Sequence, residues 1–134
     1  MREHSRAELR HKLRARGFDP HAVDRELGEL ERADLLSDAR FVASYAESRV
    51  RRGFGPRRIV PELRHKGVAE DLIDRHLGRS PQQWLILIAA AHDKKYGGRP
   101  PRDFKERARR ARFLEYRGFD PELVRRFLRC DDEC

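Results

Sequence analysis

Cysteine, lysine and long apolar runs are all scarce in this chain of 134 residues. Its two cysteines, Cys130 and Cys134, sit at the extreme C-terminus and cannot supply a disulfide framework. The one continuous apolar run, Trp84 to Ala91, is far short of the roughly 20 residues that span a bilayer. The N-terminus, MREHSRAEL, has no apolar stretch of the signal-peptide kind. These absences point to a soluble cytoplasmic protein. Catalytic and metal motifs are missing as well. There is no GxxxxGK(S/T) phosphate loop and no GxGxxG. The histidines His4, His11, His21, His65, His76 and His92 are scattered, none in an HExxH pattern, and most read as surface or helix-edge residues. The Cys130–Cys134 segment lacks the further ligands that zinc needs and reads as an acidic tail over 131–134. No catalytic residue, cofactor or metal is expected, and the chain does not read as an enzyme.

What the sequence does hold is charge. Charged residues make up 40% of the chain against 38% hydrophobic, and 31 basic against 23 acidic residues leave a net +8. Lone ions are costly to bury, so the core is thin and an elongated or repetitive body is favoured. Only five of the basic residues are lysine. The planar fork of the arginine side chain suits phosphate and carboxylate. A GC-rich coding sequence would also favour arginine over lysine, but it does not account for the net charge. A surface this basic attracts an anionic partner: DNA, RNA or an acidic protein face.

The chain also repeats itself. Leu13, Leu63 and Leu114 each open a stretch with a base, a glycine and an apolar residue, centred on Arg16-Gly17-Phe18, Lys66-Gly67-Val68 and Arg117-Gly118-Phe119. The offsets are 63 − 13 = 50 and 114 − 63 = 51, and Leu27, Leu77 and Leu128 follow each starting leucine by fourteen residues. Each repeat reads as helix, glycine turn, helix. A base near the last turn suits the helix dipole, and glycine supplies the left-handed residue past the helix end. Asp19-Pro20 and Asp120-Pro121 then cap and open the next helix. Val23 with Leu27, Ile73 with Leu77 and Val124 with Leu128 are spaced to share one face.

A third helix per repeat fits what remains. Ser37-Asp38 opens one running to about Val50, and Ser80-Pro81 opens another ending near Tyr96. The second is apolar nearly all round over Trp84–Ala91 and is expected to be the most buried. Capping boxes at Ser5–Glu8 and Asp103–Glu106 mark further starts, and Gly55-Pro56 starts the middle unit's helix, which Pro61 should bend or shorten. Leu13, Leu63 and Leu114 should be equivalently buried. Phe18, Phe119 and Trp84 are assigned to the core, and Phe104, Ala108, Ala111 and Leu114 to the apolar stripe of one helix. The expectation is an all-α protein of eight helices in tandem three-helix repeats, elongated and curved. Unit 1 covers 1–34 and lacks its leading helix, unit 2 covers 35–79 and unit 3 covers 80–130.

With the repeat established, the chain resembles the RecX family. The stretches that carry this are Leu35–Val42, Arg52–Ile59 and Glu62–Val68, with Arg2–Leu9, Lys94-Lys95-Tyr96 and Arg117-Gly118-Phe119 also family-like. Pro61 departs from the pattern, at a position usually held by a good helix former. The resemblance implies a regulator that binds the RecA–single-stranded-DNA filament in its groove. It would modulate, chiefly by inhibition, the filament's extension and its recombinase, ATPase and coprotease activities in recombination and the SOS response. Possible direct contact with single- or double-stranded DNA, a monomeric state and no membrane association complete that expectation. The alternative is a stand-alone basic helix-turn-helix-like DNA-binding protein. Against it, the second helices carry Asp24, Glu26, Asp71 and Asp74.

The candidate partner-binding residues are the basic clusters. Arg49, Arg51 and Arg52 precede the Gly53–Gly55 loop, and Arg57 and Arg58 follow it, where bases oppose the helix dipole. Arg64 and Lys66 lie beside the middle glycine turn. Lys94, Lys95, Arg99 and Arg102 flank a Gly- and Pro-rich loop. Arg107, Arg109, Arg110 and Arg112 read more simply as the polar side of a one-faced helix.

Overall fold

The computed structural model describes residues 2–133, with side chains over 2–129. The readings made for Cys130, Cys134 and the acidic side chains between them lie outside the described residues. Eight α-helices and no strand occur among the described residues: α1 (Arg6–Ala15), α2 (Pro20–Arg32), α3 (Asp38–Arg51), α4 (Pro56–His65), α5 (Glu70–Leu77), α6 (Pro81–Tyr96), α7 (Phe104–Tyr116) and α8 (Pro121–Glu133). The starts are fixed by short-range chemistry. Ser5, Asp19, Ser80 and Asp103 each accept a bond from the backbone N–H three residues on, and Gln83 returns the bond to Ser80 as a full capping box. Glu8 and Glu106 do not close their boxes and are drawn into ion pairs instead. Pro61 stands inside α4, which continues to His65.

The chain forms two compact units. The first holds Met1–Ala46 and Pro61–Leu77, the second Glu47–Val60 and Gly78–Cys134. In the first, α1 packs on α2, and Val23, Leu27 and Leu36 make a small core edged by Leu9, Leu13 and Leu30. In the second, α8 packs on both α6 and α7, around Ile88, Leu114, Phe119, Val124 and Leu128. The i,i+4 pairs read from the sequence are all buried.

Both units contain the same junction. Ser5 Oγ donates to the carbonyl of Lys66 at 2.7 Å in the first. The backbone N–H of Gly55 donates to the carbonyl of Arg117 at 2.8 Å in the second. Ser5 and Gly55 are 50 residues apart, Lys66 and Arg117 51 apart, so these are equivalent positions of the repeat. A Cβ on Gly67 would sit 2.6 Å from Ala7 Cβ, and one on Gly118 would sit 2.6 Å from Arg58 Cβ. In each unit, then, a helix start presses onto a glycine turn, close enough that only glycine fits.

The structure departs from several expectations. Phe18 is 56% exposed rather than core, because no described atom covers its turn: a Cβ on Gly17 would meet nothing within 4 Å. Leu13 is only half-buried while Leu63 and Leu114 are fully enclosed, for the same reason. Phe104 is 80% exposed at the head of α7, and the stripe it was assigned to holds Arg110 as a buried member. His92 is buried at 1%, not at the surface. Helix α6 is not apolar on every side: Trp84, Ile88 and His92 form its one buried stripe and Ile86 points outward.

Candidate functional site

Within the second unit, α3 ends and the chain turns through Gly53 at φ +87°. Arg51 is the last residue of α3, and Arg52 follows it into this turn. The last turn of α6 carries Lys94 and Lys95, the last turn of α7 carries Phe113, and Arg117 caps that helix. Together these line an open hollow of about 350 Å³ whose apolar floor includes Val50, Leu87 and Ala91. Five of its lining residues are cationic, and none of the described lining residues is acidic. Two clusters that lie some forty residues apart in the sequence thus become one.

Arg117 is the pin of this arrangement. Its guanidinium donates to the carbonyl of Arg52 at 3.0 Å and lies over the rings of Phe54 (4.7 Å) and Phe113 (5.1 Å). Arg49 and Arg58 also stand over Phe54, at 3.9 and 4.8 Å. Cation–π contact offsets part of the repulsion among three neighbouring guanidinium groups. The sequence reading took Arg117 only as a helix-end base. Its role depends on the Gly55–Gly118 junction, which no local pattern announces.

The remaining candidates fall into distinct settings. Arg51 pairs with Glu47 at 2.8 Å on an exposed face, and Arg57 reaches Asp120 at 3.6 Å. Arg52, Lys94 and Arg99 have exposed side chains with no ion pair to a described residue. Lys95 lies over Phe113 at 4.8 Å. Arg102 pairs with Glu106, whose hydrogen bond raises the arginine's pKa. Arg64 and Lys66 belong to the first unit and are engaged there. Arg64 pairs with Glu70, and that hydrogen bond raises the pKa of Arg64 and lowers that of Glu70. Lys66 pairs with Glu8 at 2.8 Å. Burial pushes Glu8 up, but hydrogen bonds from Lys66 and Arg2 outweigh it and hold the carboxyl below its ordinary value.

Arg110 is not on a polar face at all. It is 4% exposed and donates to His92 Nε2 at 2.9 Å, to the carbonyl of Arg99 and to Glu106. His92 Nδ1 lies 2.9 Å from Asp93 Oδ1. An always-charged arginine at Nε2 leaves that nitrogen as acceptor and puts the ring proton on Nδ1, facing Asp93. This network fastens the loop carrying Arg99 and Arg102 to α6 and α7. No group of three or more described His, Cys, Asp or Glu residues is placed to hold a metal ion, and no helix among the described residues is long and apolar enough to cross a membrane.

The chain is a helical tandem repeat with a basic hollow where three helix ends meet. Family models place it more closely. They match RecX, first three-helix domain, over residues 1–30, RecX, second three-helix domain, over 37–77, and RecX, third three-helix domain, over 86–128. The chain belongs to the RecX family. It is 42% identical over 132 residues to the regulatory protein RecX of Ectopseudomonas mendocina, covering 98% of this chain and 88% of that one. It is equally similar to the regulatory protein RecX of Halorhodospira halophila, covering 82% of that chain. The fold matches a crystal structure of RecX from Lactobacillus salivarius with a TM-score of 0.79 at 16% identity, over 99% of this chain and 88% of the other.

Proposed function

We propose that this protein is a non-enzymatic, cytoplasmic, monomeric regulator that binds the RecA–single-stranded-DNA filament. By occupying the filament and bridging protomers it restrains extension and damps the recombinase, ATPase and coprotease activities used in recombination and the SOS response. The observation that carries this reading is the gathering of Arg51, Arg52, Lys94, Lys95 and Arg117 around one hollow whose described lining holds no acid, in a chain of this family. Like charges held together raise each other's energy in the free protein, and an anionic partner relieves that repulsion. Arg49 and Arg58 flank the site, with Arg57, Arg99 and Arg102 as outlying cations. Arg64 and Lys66 hold their own unit together. The repeats at 1–34, 35–79 and 80–130 then serve as spacers that present successive surfaces along a helical partner.

The test is co-sedimentation with RecA filaments, with and without DNA and nucleotide, beside naked single- and double-stranded DNA. Retention by nucleotide-bound filaments above that by naked DNA is the expected result. Equal or stronger retention by naked duplex would favour a stand-alone DNA-binding protein instead.

A further inference from the structure

A second hollow of about 580 Å³ adjoins the first, sharing Lys95, Phe113 and Arg117 with it. Arg109 and Arg112 add two cations to its wall, and neither pairs with a described acid. Its other lining residues include Tyr96 and Tyr116, and again none of the described ones is acidic. Tyr116 stands out. It is 78% exposed, although a tyrosine ring is large and mostly apolar. Arg58 lies over its ring at 5.4 Å and donates to its carbonyl at 3.5 Å, which places one more cation beside the exposed ring.

A run of cations tracking past an exposed aromatic ring is what a single nucleic-acid strand requires. The cations meet its phosphates, and the ring meets an unpaired base. An acidic peptide would also use the charges, and its apolar side chains can pack on a tyrosine ring, so an acidic polymer is one arm of the measurement below. A duplex keeps its bases stacked inside and cannot offer one to the ring. We propose that Tyr116 is a base-stacking residue and that the two hollows form one track for a single strand, with Lys95, Arg109, Arg112 and Arg117 along its phosphates. This rests on the reading that the basic face of the second unit is the partner surface. It adds that the strand itself is touched there and that its bases are sensed.

The experiment measures binding of the full chain to an oligothymidylate, to an abasic strand of equal length and to polyglutamate, using fluorescence anisotropy. Variants Tyr116→Ala and Tyr116→Phe are compared after circular dichroism confirms that both are helical. Loss of one stacking ring should weaken oligothymidylate binding by about five- to a hundredfold. Abasic-strand binding should be unchanged in Tyr116→Ala, and Tyr116→Phe should behave as the parent. Equal losses on the two strands, or no loss on either, overturn the proposal, as does tighter binding of polyglutamate than of oligothymidylate. Filament binding by an Arg51→Ala, Arg52→Ala, Lys94→Ala, Lys95→Ala variant separates the two levels. Its loss alongside a silent Tyr116→Ala rejects the stacking role alone, whereas its retention rejects the partner surface itself.

Discussion

Arg110 and Phe104 lie on the same helix, and their environments invert what residue type alone suggests. The guanidinium is enclosed and the phenyl ring is in water. Replacing Arg110 by Ala takes the donor from the buried His92 Nε2, at about 1–3 kcal/mol for a buried polar group left unmatched, while Glu106 keeps Arg102. Thermal melts should therefore show Arg110→Ala several degrees below the parent. Phe104→Ala should stay within about 0.5 kcal/mol, as surface substitutions do. A melting temperature for Arg110→Ala equal to the parent's would remove the network from the account. Glu8 supplies a pH signature. Its carboxyl is held below the ordinary value of 4.5, so its stabilisation is complete above that pH and is lost as pH falls through the lower folded-state value. Acid melts of the parent should show a loss below about pH 4.5 that is smaller in Glu8→Gln. An identical acid profile in the two proteins would show that Lys66 and Arg2 do not stabilise the charged form.

The glycine turns rank themselves by what presses on them. Gly17 and Gly118 both have positive φ, at +87° and +101°, but only Gly118 has backbone against it, with the Arg58 N 2.7 Å from an added Cβ. Gly17→Ala should cost only the left-handed penalty of about 1–2 kcal/mol. Gly118→Ala adds a steric clash and should cost clearly more, with loss of the Gly55–Arg117 bond. Urea titrations of the two variants decide the order. The same contrast shows what was legible. Helix starts and glycine stops are contained within a few residues, so Ser5, Asp19, Ser80 and Asp103 could be read directly. The exposure of Phe18 could not, because Phe18 and Phe119 share one local pattern and differ only in what lies over the turn. The buried Arg110–His92 pair was missed because periodicity counts apolar residues, and here a hydrogen-bonded polar pair occupies the stripe.

For the molecule as a whole, the basic clusters were visible one at a time, whereas their union was not. Arg51 and Arg52 meet Lys94 and Lys95 only once the ends of α3, α6 and α7 come together, and Arg117 closes the set through a backbone carbonyl. Four alanines at Arg51, Arg52, Lys94 and Lys95 remove exposed charges of little worth to stability, so the helical spectrum and the melting temperature should stay close to the parent's. The most direct measurement is ATP hydrolysis by RecA on single-stranded DNA, titrated with the parent and with this variant. The parent should suppress hydrolysis at low stoichiometry. The variant should require far more protein, or fail to suppress it at all. A variant that folds normally and suppresses hydrolysis at the parent's concentration would contradict the assignment of this surface to the partner.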